Sequence, residues 1–63
     1  MTIRVEACWT GRDSGTRFRL TLPSGGHEFV HGDTWNRQTA KDALDVLEHV
    51  YRLKRSSIRF AVR

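Results

Sequence analysis

The chain contains 63 residues, of which 38% are hydrophobic, and it carries a formal net charge of +4. A chain of this length forms one small domain over residues 1–63 and buries only about 60% of its unfolded surface, so dimerisation would be an ordinary remedy for marginal stability. The single cysteine excludes an intrachain disulfide and favours a reducing compartment. No run approaches the ~18 apolar residues of a membrane span, and no secretory leader is visible. We therefore expect a cytoplasmic protein without a membrane partner.

Alternating apolar and polar side chains predict a first strand over residues 2–9. Its apolar face consists of Ile3, Val5, Ala7 and Trp9. A turn-rich loop over residues 10–15 follows, with glycines available for positive φ. The same alternation predicts a second strand over residues 16–22, whose apolar face consists of Phe18, Leu20 and Leu22.

Residues 23–26, Pro-Ser-Gly-Gly, are a strong turn signal, because proline presets the turn and either glycine can take a left-handed position. A short third strand is predicted over residues 27–31. We expect its Phe29 to point towards the core. The connection that follows contains Trp35, outside any clear period. Trp35 is interpreted either as a lid over the edge of the core or as an exposed anchor for a partner or a stacked base.

A helix is predicted to begin after Thr39 as the N-cap, with Asp42 completing a capping box. Apolar residues then recur at helical spacing. The stripe consists of Ala40, Ala43, Leu44, Leu47, Val50 and Tyr51, with Val46 at its edge. Glu48 and Arg52 form an (i, i+4) pair in the favourable order. The helix is expected to end near Leu53, and a last strand over residues 56–62 turns Ile58, Phe60 and Val62 to one side.

The apolar stripe of the helix needs a partner surface, and only the apolar face of the sheet is large enough. The sequence therefore predicts an α+β fold with two layers and the order β-β-β-α-β, in which one amphipathic helix packs on one face of a small, mainly antiparallel sheet of three or four strands. The first two strands should be central, with the last strand beside the first. The last strand is parallel to the first if the third strand forms, and antiparallel if that segment is a loop.

Arginines occupy the opposite, open face of this predicted sheet. They are Arg4, Arg17, Arg19, Arg59 and Arg63. Guanidinium groups bind phosphates and guanine edges, so this face is a candidate for binding nucleic acid. The alternative is a solvated face that only keeps the sheet soluble. One register sets Glu6 opposite Arg19 in a structural ion pair, and the register two residues along sets Glu6 opposite Thr21 and leaves Arg19 free.

The segment after the helix adds positive charge, since residues 52–63 carry five basic side chains and no acidic one. Arg52, Lys54 and Arg55 lie near the predicted helix C-terminus, where cations favour the helix dipole. Together with Arg59 and Arg63 they extend the basic surface, so we include them among the candidate nucleic-acid-binding residues.

Metal binding and catalysis find little support in the sequence. His27 and His31 would lie roughly 13 Å apart in a strand, which is too far to share one ion. A pairing of Cys8 with a histidine needs an orienting third group and a pocket, for which a domain of this size has little room. We expect no catalytic residues, no metal, no cofactor and no small-molecule substrate.

The order of three strands and a helix, opened by Thr39-Ala40 and Asp42-Ala43 and closed by Tyr51-Arg52, resembles the plant ethylene-response-factor DNA-binding domain. The resemblance implies an arginine-bearing sheet that enters the major groove. The tryptophan and glycine signatures of that family are absent, and this chain adds a terminal strand. Residues 39–51 with the following strand are also similar to small phage-encoded inhibitors of host RNA polymerase, which implies binding to a protein.

Two hypotheses follow from the sequence. The first is a small non-enzymatic domain that binds nucleic acid through its basic sheet face. The second is a protein-interaction module or a small homodimeric regulator of phage or plasmid type, which uses the edge of the last strand or Trp35 to recruit its partner.

Overall fold

The computed structural model describes residues 1–11 and 15–63. Its regular elements are strands β1 (Ile3–Trp9), β2 (Arg17–Thr21) and β3 (His27–His31), helix α1 (Arg37–Tyr51), a 3-10 turn (Arg55–Ser57) and strand β4 (Ile58–Val62). The predicted order β-β-β-α-β is confirmed. The predicted loop over residues 10–15 lies partly outside the described residues.

These strands form one mixed sheet in the order β3-β2-β1-β4. β2 is antiparallel to both β1 and β3, whereas β4 is parallel to β1. The first two strands are therefore central and the last lies beside the first, as predicted. Because β3 forms, the chain returns across the sheet through α1 before it enters β4, and such a crossover makes β4 parallel to β1.

The helix covers the sheet face that the alternation predicted for the central strands. The buried hydrophobic side chains come from the sheet and from α1: Val5, Ala7, Phe18, Leu20, Leu22, Val30, Ala43, Leu47 and Ile58. Val5, Leu20 and Leu47 are completely buried. Burying an aliphatic side chain of this size is worth about 1.5–3 kcal/mol. These three side chains belong to the core cluster that the sheet and α1 form together.

β3 faces the opposite way from the prediction. Val30 is buried opposite Phe18, and Phe29 is 45% exposed on the open face of the sheet. The prediction that Phe29 points inwards was wrong, and the alternating pattern of β3 itself shows why. Turning Phe29 inwards would carry His27 and His31 into the apolar layer, whereas the observed orientation leaves both imidazoles exposed.

The polar residue of β3 that does turn inwards is Glu28, and it has a partner. The hydroxyl of Tyr51 donates a hydrogen bond of 3.1 Å to the Glu28 carboxylate. Partial burial raises the pKa of Tyr51, and the adjacent Glu28 raises it further. A β-carbon at Gly26 would lie only 3.0 Å from the same hydroxyl, so the turn before β3 packs tightly on the end of the helix. These contacts hold α1 closest to β3.

Because α1 lies towards β3, the far side of the apolar face is incompletely covered. Trp9 is 47% exposed, Val62 is 46% exposed and Val50, at the last turn of the helix, is 58% exposed. The prediction that these three residues belong to the core was wrong. The parity is correct for Trp9 and Val62, but each is the last residue of its strand.

The helix begins three residues earlier than predicted, with Asn36 as its N-cap instead of Thr39. The Asn36 side-chain oxygen accepts a hydrogen bond of 2.9 Å from the backbone N–H of Thr39. Thr39 is buried, and its hydroxyl lies 2.8 Å from the carbonyl oxygen of Thr34 and 2.9 Å from the Asn36 oxygen. The Thr39 hydroxyl thus connects the first turn of the helix to the residues that precede it. Asp42 accepts a hydrogen bond from Gln38, so no capping box forms.

The helix ends at Tyr51, and Arg52 takes the left-handed conformation with φ of 59°. The predicted pair between Glu48 and Arg52 is not among the ion pairs of residues 1–11 and 15–63. Glu48 instead contacts Arg55, which the reversal of the chain at Arg52 brings back towards the helix.

We predict that Asn36→Ala lowers the free energy of unfolding by about 1 kcal/mol, because it leaves the Thr39 N–H and hydroxyl without their shared acceptor. Urea denaturation followed by circular dichroism measures this change. Arg37→Ala, at the adjacent exposed position, is the matched control and should leave stability nearly unchanged. Equal losses in the two variants would contradict the assigned cap.

Candidate nucleic-acid interface

The open face of the sheet carries the side chains that do not face α1. By strand parity its members are Arg4, Glu6 and Cys8 from β1, Arg17, Arg19 and Thr21 from β2, His27, Phe29 and His31 from β3, and Arg59, Ala61 and Arg63 from the C-terminal segment. All five predicted sheet-face arginines therefore lie on this side. Glu6 is its only acidic residue within the described strands.

The register between β1 and β2 decides what Glu6 does. Glu6 lies opposite Thr21, and Arg19 lies opposite Cys8. This is the second of the two registers considered from the sequence, so Glu6 does not pair with Arg19.

Glu6 instead forms ion pairs towards the β1 and β4 side of the sheet. Its carboxylate lies 3.1 Å from Nη2 of Arg63 and 3.8 Å from Nε of Arg4. These three residues are called the ion-paired group below. Exposed ion pairs contribute only about 0–1 kcal/mol, but this one engages Arg4 and Arg63 before any ligand arrives. The five arginines therefore do not act as one equivalent set.

A second group lies on the β2–β3 hairpin and consists of Arg17, Arg19 and Phe29, called the arginine–phenylalanine group below. The guanidinium carbon of Arg17 lies 4.1 Å from the centre of the Phe29 ring, a cation–π contact. Arg19 is exposed and lies directly opposite Phe29 in the register. Neither arginine makes an ion pair within the part of the chain that the structure describes. Positive charge on this hairpin is therefore not neutralised by those residues.

The remaining arginine of the sheet face, Arg59, contacts the backbone. Its Nη1 donates to the carbonyl oxygens of Ser56 and Ile58, at 3.1 and 2.9 Å. Arg59 is exposed and lies opposite Arg4 in the register. The backbone contacts orient its guanidinium at the start of β4 without cancelling its charge.

The basic cluster after the helix does not join this face as a unit. Arg55 donates from Nη1 to Asp45 at 2.7 Å and to Glu48 at 3.1 Å, both on α1. The hydrogen bond from Arg55 lowers the pKa of Asp45, and the bonds to Asp45 and Glu48 raise that of Arg55. Arg55 therefore ties the segment after the helix to α1. Arg52 and Lys54 remain exposed beside it.

Trp35 packs against the core, as the lid interpretation expects. Its ring makes edge-to-face contacts with Phe18 at 5.3 Å and with Phe60 at 4.9 Å between centroids. It therefore contacts one side chain of β2 and one of β4. Its alternative role as an anchor for a partner stays a prediction.

The three outward residues of β3 were not proposed as functional from the sequence: His27, Phe29 and His31. The signal was available, because the alternation in β3 allows either Val30 or Phe29 inside, and only the first choice keeps both histidines out of the core.

Among residues 1–11 and 15–63, no three His, Cys, Asp or Glu side chains come together as a metal site. Within the same residues, no helix is long and apolar enough to span a membrane.

Comparison with models of known protein families, with curated proteins and with solved structures finds no match to this chain. Neither of the two resemblances described from the sequence gains support from a match.

We predict that the Arg55 contacts make stability depend on pH through Asp45. Because folding lowers the pKa of Asp45, its contribution is present above the unfolded value of about 3.9 and is lost as the pH falls through the lower folded value. The urea midpoint of Asp45→Asn should therefore lie below that of the wild type at neutral pH, and the two midpoints should converge in acid. Lys41, 3.6 Å away, and Glu48, which shares Arg55, are the other charged neighbours.

The matched control for this measurement is Asp33→Asn, at an exposed carboxylate outside the ion pairs of the described residues. It should not show this convergence. If the urea midpoints of the two variants depended on pH in the same way, the pairing of Asp45 with Arg55 would not be the source of the predicted pH dependence.

Proposed function

We propose that this protein is a small non-enzymatic domain that binds nucleic acid through the open face of its sheet. The observation that carries the proposal is the arginine–phenylalanine group, whose two arginines make no ion pair with a described residue. A guanidinium group has five N–H donors in a planar fork that matches phosphate geometry. Such contacts supply affinity that is independent of sequence and falls as salt rises.

The two halves of the face differ in what they offer a polyanion. In the ion-paired group, the Glu6 carboxylate lies beside Arg4 and Arg63 and competes with a phosphate for these two arginines. Arg17 and Arg19 have no such competitor among the described residues, and Arg59 is oriented by carbonyl oxygens alone. We therefore assign the main phosphate contacts to Arg17, Arg19 and Arg59, with Arg4 and Arg63 secondary.

The open shape of the face favours binding over catalysis. A shallow depression of about 290 Å³ lies on it, lined by Arg4, Glu6, Thr21, Leu22 and Pro23. Catalysis usually needs a site that excludes water from the reacting atoms, which an open depression does not do. The free thiol of Cys8 suits a reducing compartment, so we propose that the protein acts in the cytoplasm.

We predict that Arg19→Gln weakens binding to a labelled oligonucleotide at low salt by roughly threefold to tenfold, which corresponds to about 0.7–1.4 kcal/mol, the worth of one typical hydrogen bond. The plot of log affinity against log salt should become shallower by about 0.7–0.9, the contribution of one phosphate contact. Fluorescence anisotropy at several salt concentrations measures both quantities.

Arg37→Gln is the matched control, because it removes the same charge from an exposed position on α1. It should change neither the affinity nor the slope beyond a small uniform effect. No binding of the wild-type protein to DNA or RNA at low salt would exclude the proposed function.

A second candidate function is self-association through the edge of β4. β4 is an outer strand of the sheet, and two large apolar side chains, Trp9 and Val62, are exposed near its C-terminal end. An unpaired strand edge beside exposed apolar surface is a template for pairing with another chain. We propose that a second copy of this chain occupies it, which would also supplement the small core.

If the protein self-associates through the edge of β4, sedimentation velocity should show a dimer whose fraction increases with protein concentration. Val62→Lys should shift the protein to monomer, because a lysine on an edge strand opposes pairing. Val50→Lys, at a comparably exposed position on α1, should leave the dimer intact. A wild-type protein that sediments as a monomer at every concentration would exclude self-association.

A further inference from the structure

We propose that the nucleic acid accepted by this face is single-stranded, and that Phe29 together with the guanidinium of Arg17 forms a platform on which one base stacks. This inference rests on the proposed function and adds the class of nucleic acid and the residue that selects it. It follows from the orientation of β3, which turns Phe29 outwards.

Phe29 is the aromatic residue on the outward positions of the described strands, where its neighbours are arginine, histidine and threonine. Nearly half of its surface is exposed, although Val30 next to it is 5% exposed. Exposed aromatic rings on a basic sheet are the means by which several small domains hold unpaired bases. In its exposed position the Phe29 ring can stack on a base, which a buried ring could not do.

Arg17 adds a second stacking plane to the same site. Its guanidinium lies over one face of the Phe29 ring, at 4.1 Å from the centroid. Its Nε is buried and has no hydrogen-bond partner among the described residues. The ring, and no described carboxylate, thus holds this side chain. Guanidinium planes also stack on bases. A base can therefore stack on the pair formed by the Phe29 ring and the Arg17 guanidinium, while the positive charge of Arg17 stays available to a phosphate of the nucleic acid.

Arg19 is positioned to contact the phosphate beside the stacked base. It lies directly opposite Phe29 across the β2–β3 pair, a separation of about 5 Å between β-carbons. His31 lies opposite Arg17 in the next outward pair. A hairpin of five-residue strands is about 17 Å long, which accommodates only a few nucleotides. The site is therefore small, with one stacked base and two arginines at its centre.

This arrangement favours a single strand over a duplex. Bases within a duplex are stacked on each other and present only their edges in the grooves, so their faces cannot reach Phe29. An unpaired base pays little to leave its neighbours and stack on a ring. A duplex can still contact the arginines through its phosphates, but it gains nothing from Phe29.

The test compares three labelled probes at low salt by fluorescence anisotropy. They are an oligo-dT and an oligo-U of about 12 nucleotides, within the range of single-strand site sizes, and the duplex of the oligo-dT with its complement. We expect both single strands to bind more tightly than the duplex. Phe29→Leu, which keeps an apolar strand residue, should weaken single-strand binding about tenfold, as for the loss of one stacked base.

Two further properties separate stacking from a loss of structure or charge. Phe29→Leu should leave the salt slope unchanged, because the ring carries no charge, and Phe29→Trp should restore the affinity. Val50→Ala is the matched control, because Val50 is an exposed apolar residue on α1, away from the open face of the sheet. Thermal unfolding of Phe29→Leu establishes that the variant is folded.

The outcomes distinguish this inference from the function on which it rests. Equal affinity for single strands and duplex, or full affinity in folded Phe29→Leu, would overturn the stacking site and leave binding to nucleic acid standing. Absence of binding to all three probes would overturn both. Tighter binding of the single strands, lost in Phe29→Leu and restored in Phe29→Trp, would support both.

Discussion

The pairing of Phe18 with Val30 across β2 and β3 is the constraint on which the two faces of this sheet depend. Side chains opposite each other in a sheet share a face, so burying Phe18 under the helix also buries Val30 and turns Phe29 outwards. A slip of one residue would reverse every side chain of β3. It would bury His27 and His31 and expose Val30. The observed register keeps the apolar layer free of imidazole.

The electrostatics of the open face follow from the next register, between β1 and β2. Setting Glu6 opposite Thr21 directs its carboxylate to Arg63 and Arg4 and away from Arg19. The Glu6 carboxylate thereby divides the basic face in two. Arg63 and Arg4 pair with Glu6, whereas Arg17 and Arg19 make no ion pair with a described residue. A uniform stripe of arginines would have attracted any polyanion. The division concentrates the proposed recognition on the hairpin, where Phe29 adds chemistry that charge alone lacks.

The helix shows how local signals can be correct in type and displaced in position. Thr39 has the side chain of a good N-cap, but Asn36 has one too, and only the packing of Thr39 against the connection decides between them. The stripe of α1 was predicted at the right spacing, and Leu47 and Ala43 are buried as expected. Val50, which the same spacing placed in the stripe, is exposed at the last turn of the helix. Arg55 shows the same effect, since a basic residue expected to face an acidic ligand is held by Asp45 and Glu48.

The sequence by itself determined the element order, the two-layer arrangement and the side of β1, β2 and β4 that carries the arginines, because period-two and helical patterns are local properties of the chain. It also predicted that β4 would be parallel if β3 formed. The tertiary structure alone decided the partner of Glu6 and the exposure of Trp9, Val50 and Val62, because these depend on a strand register or on the position of the helix, which contacts between residues distant in the chain set. The orientation of β3 and the cap of the helix were each one of two choices that the sequence allowed, and packing selected between them.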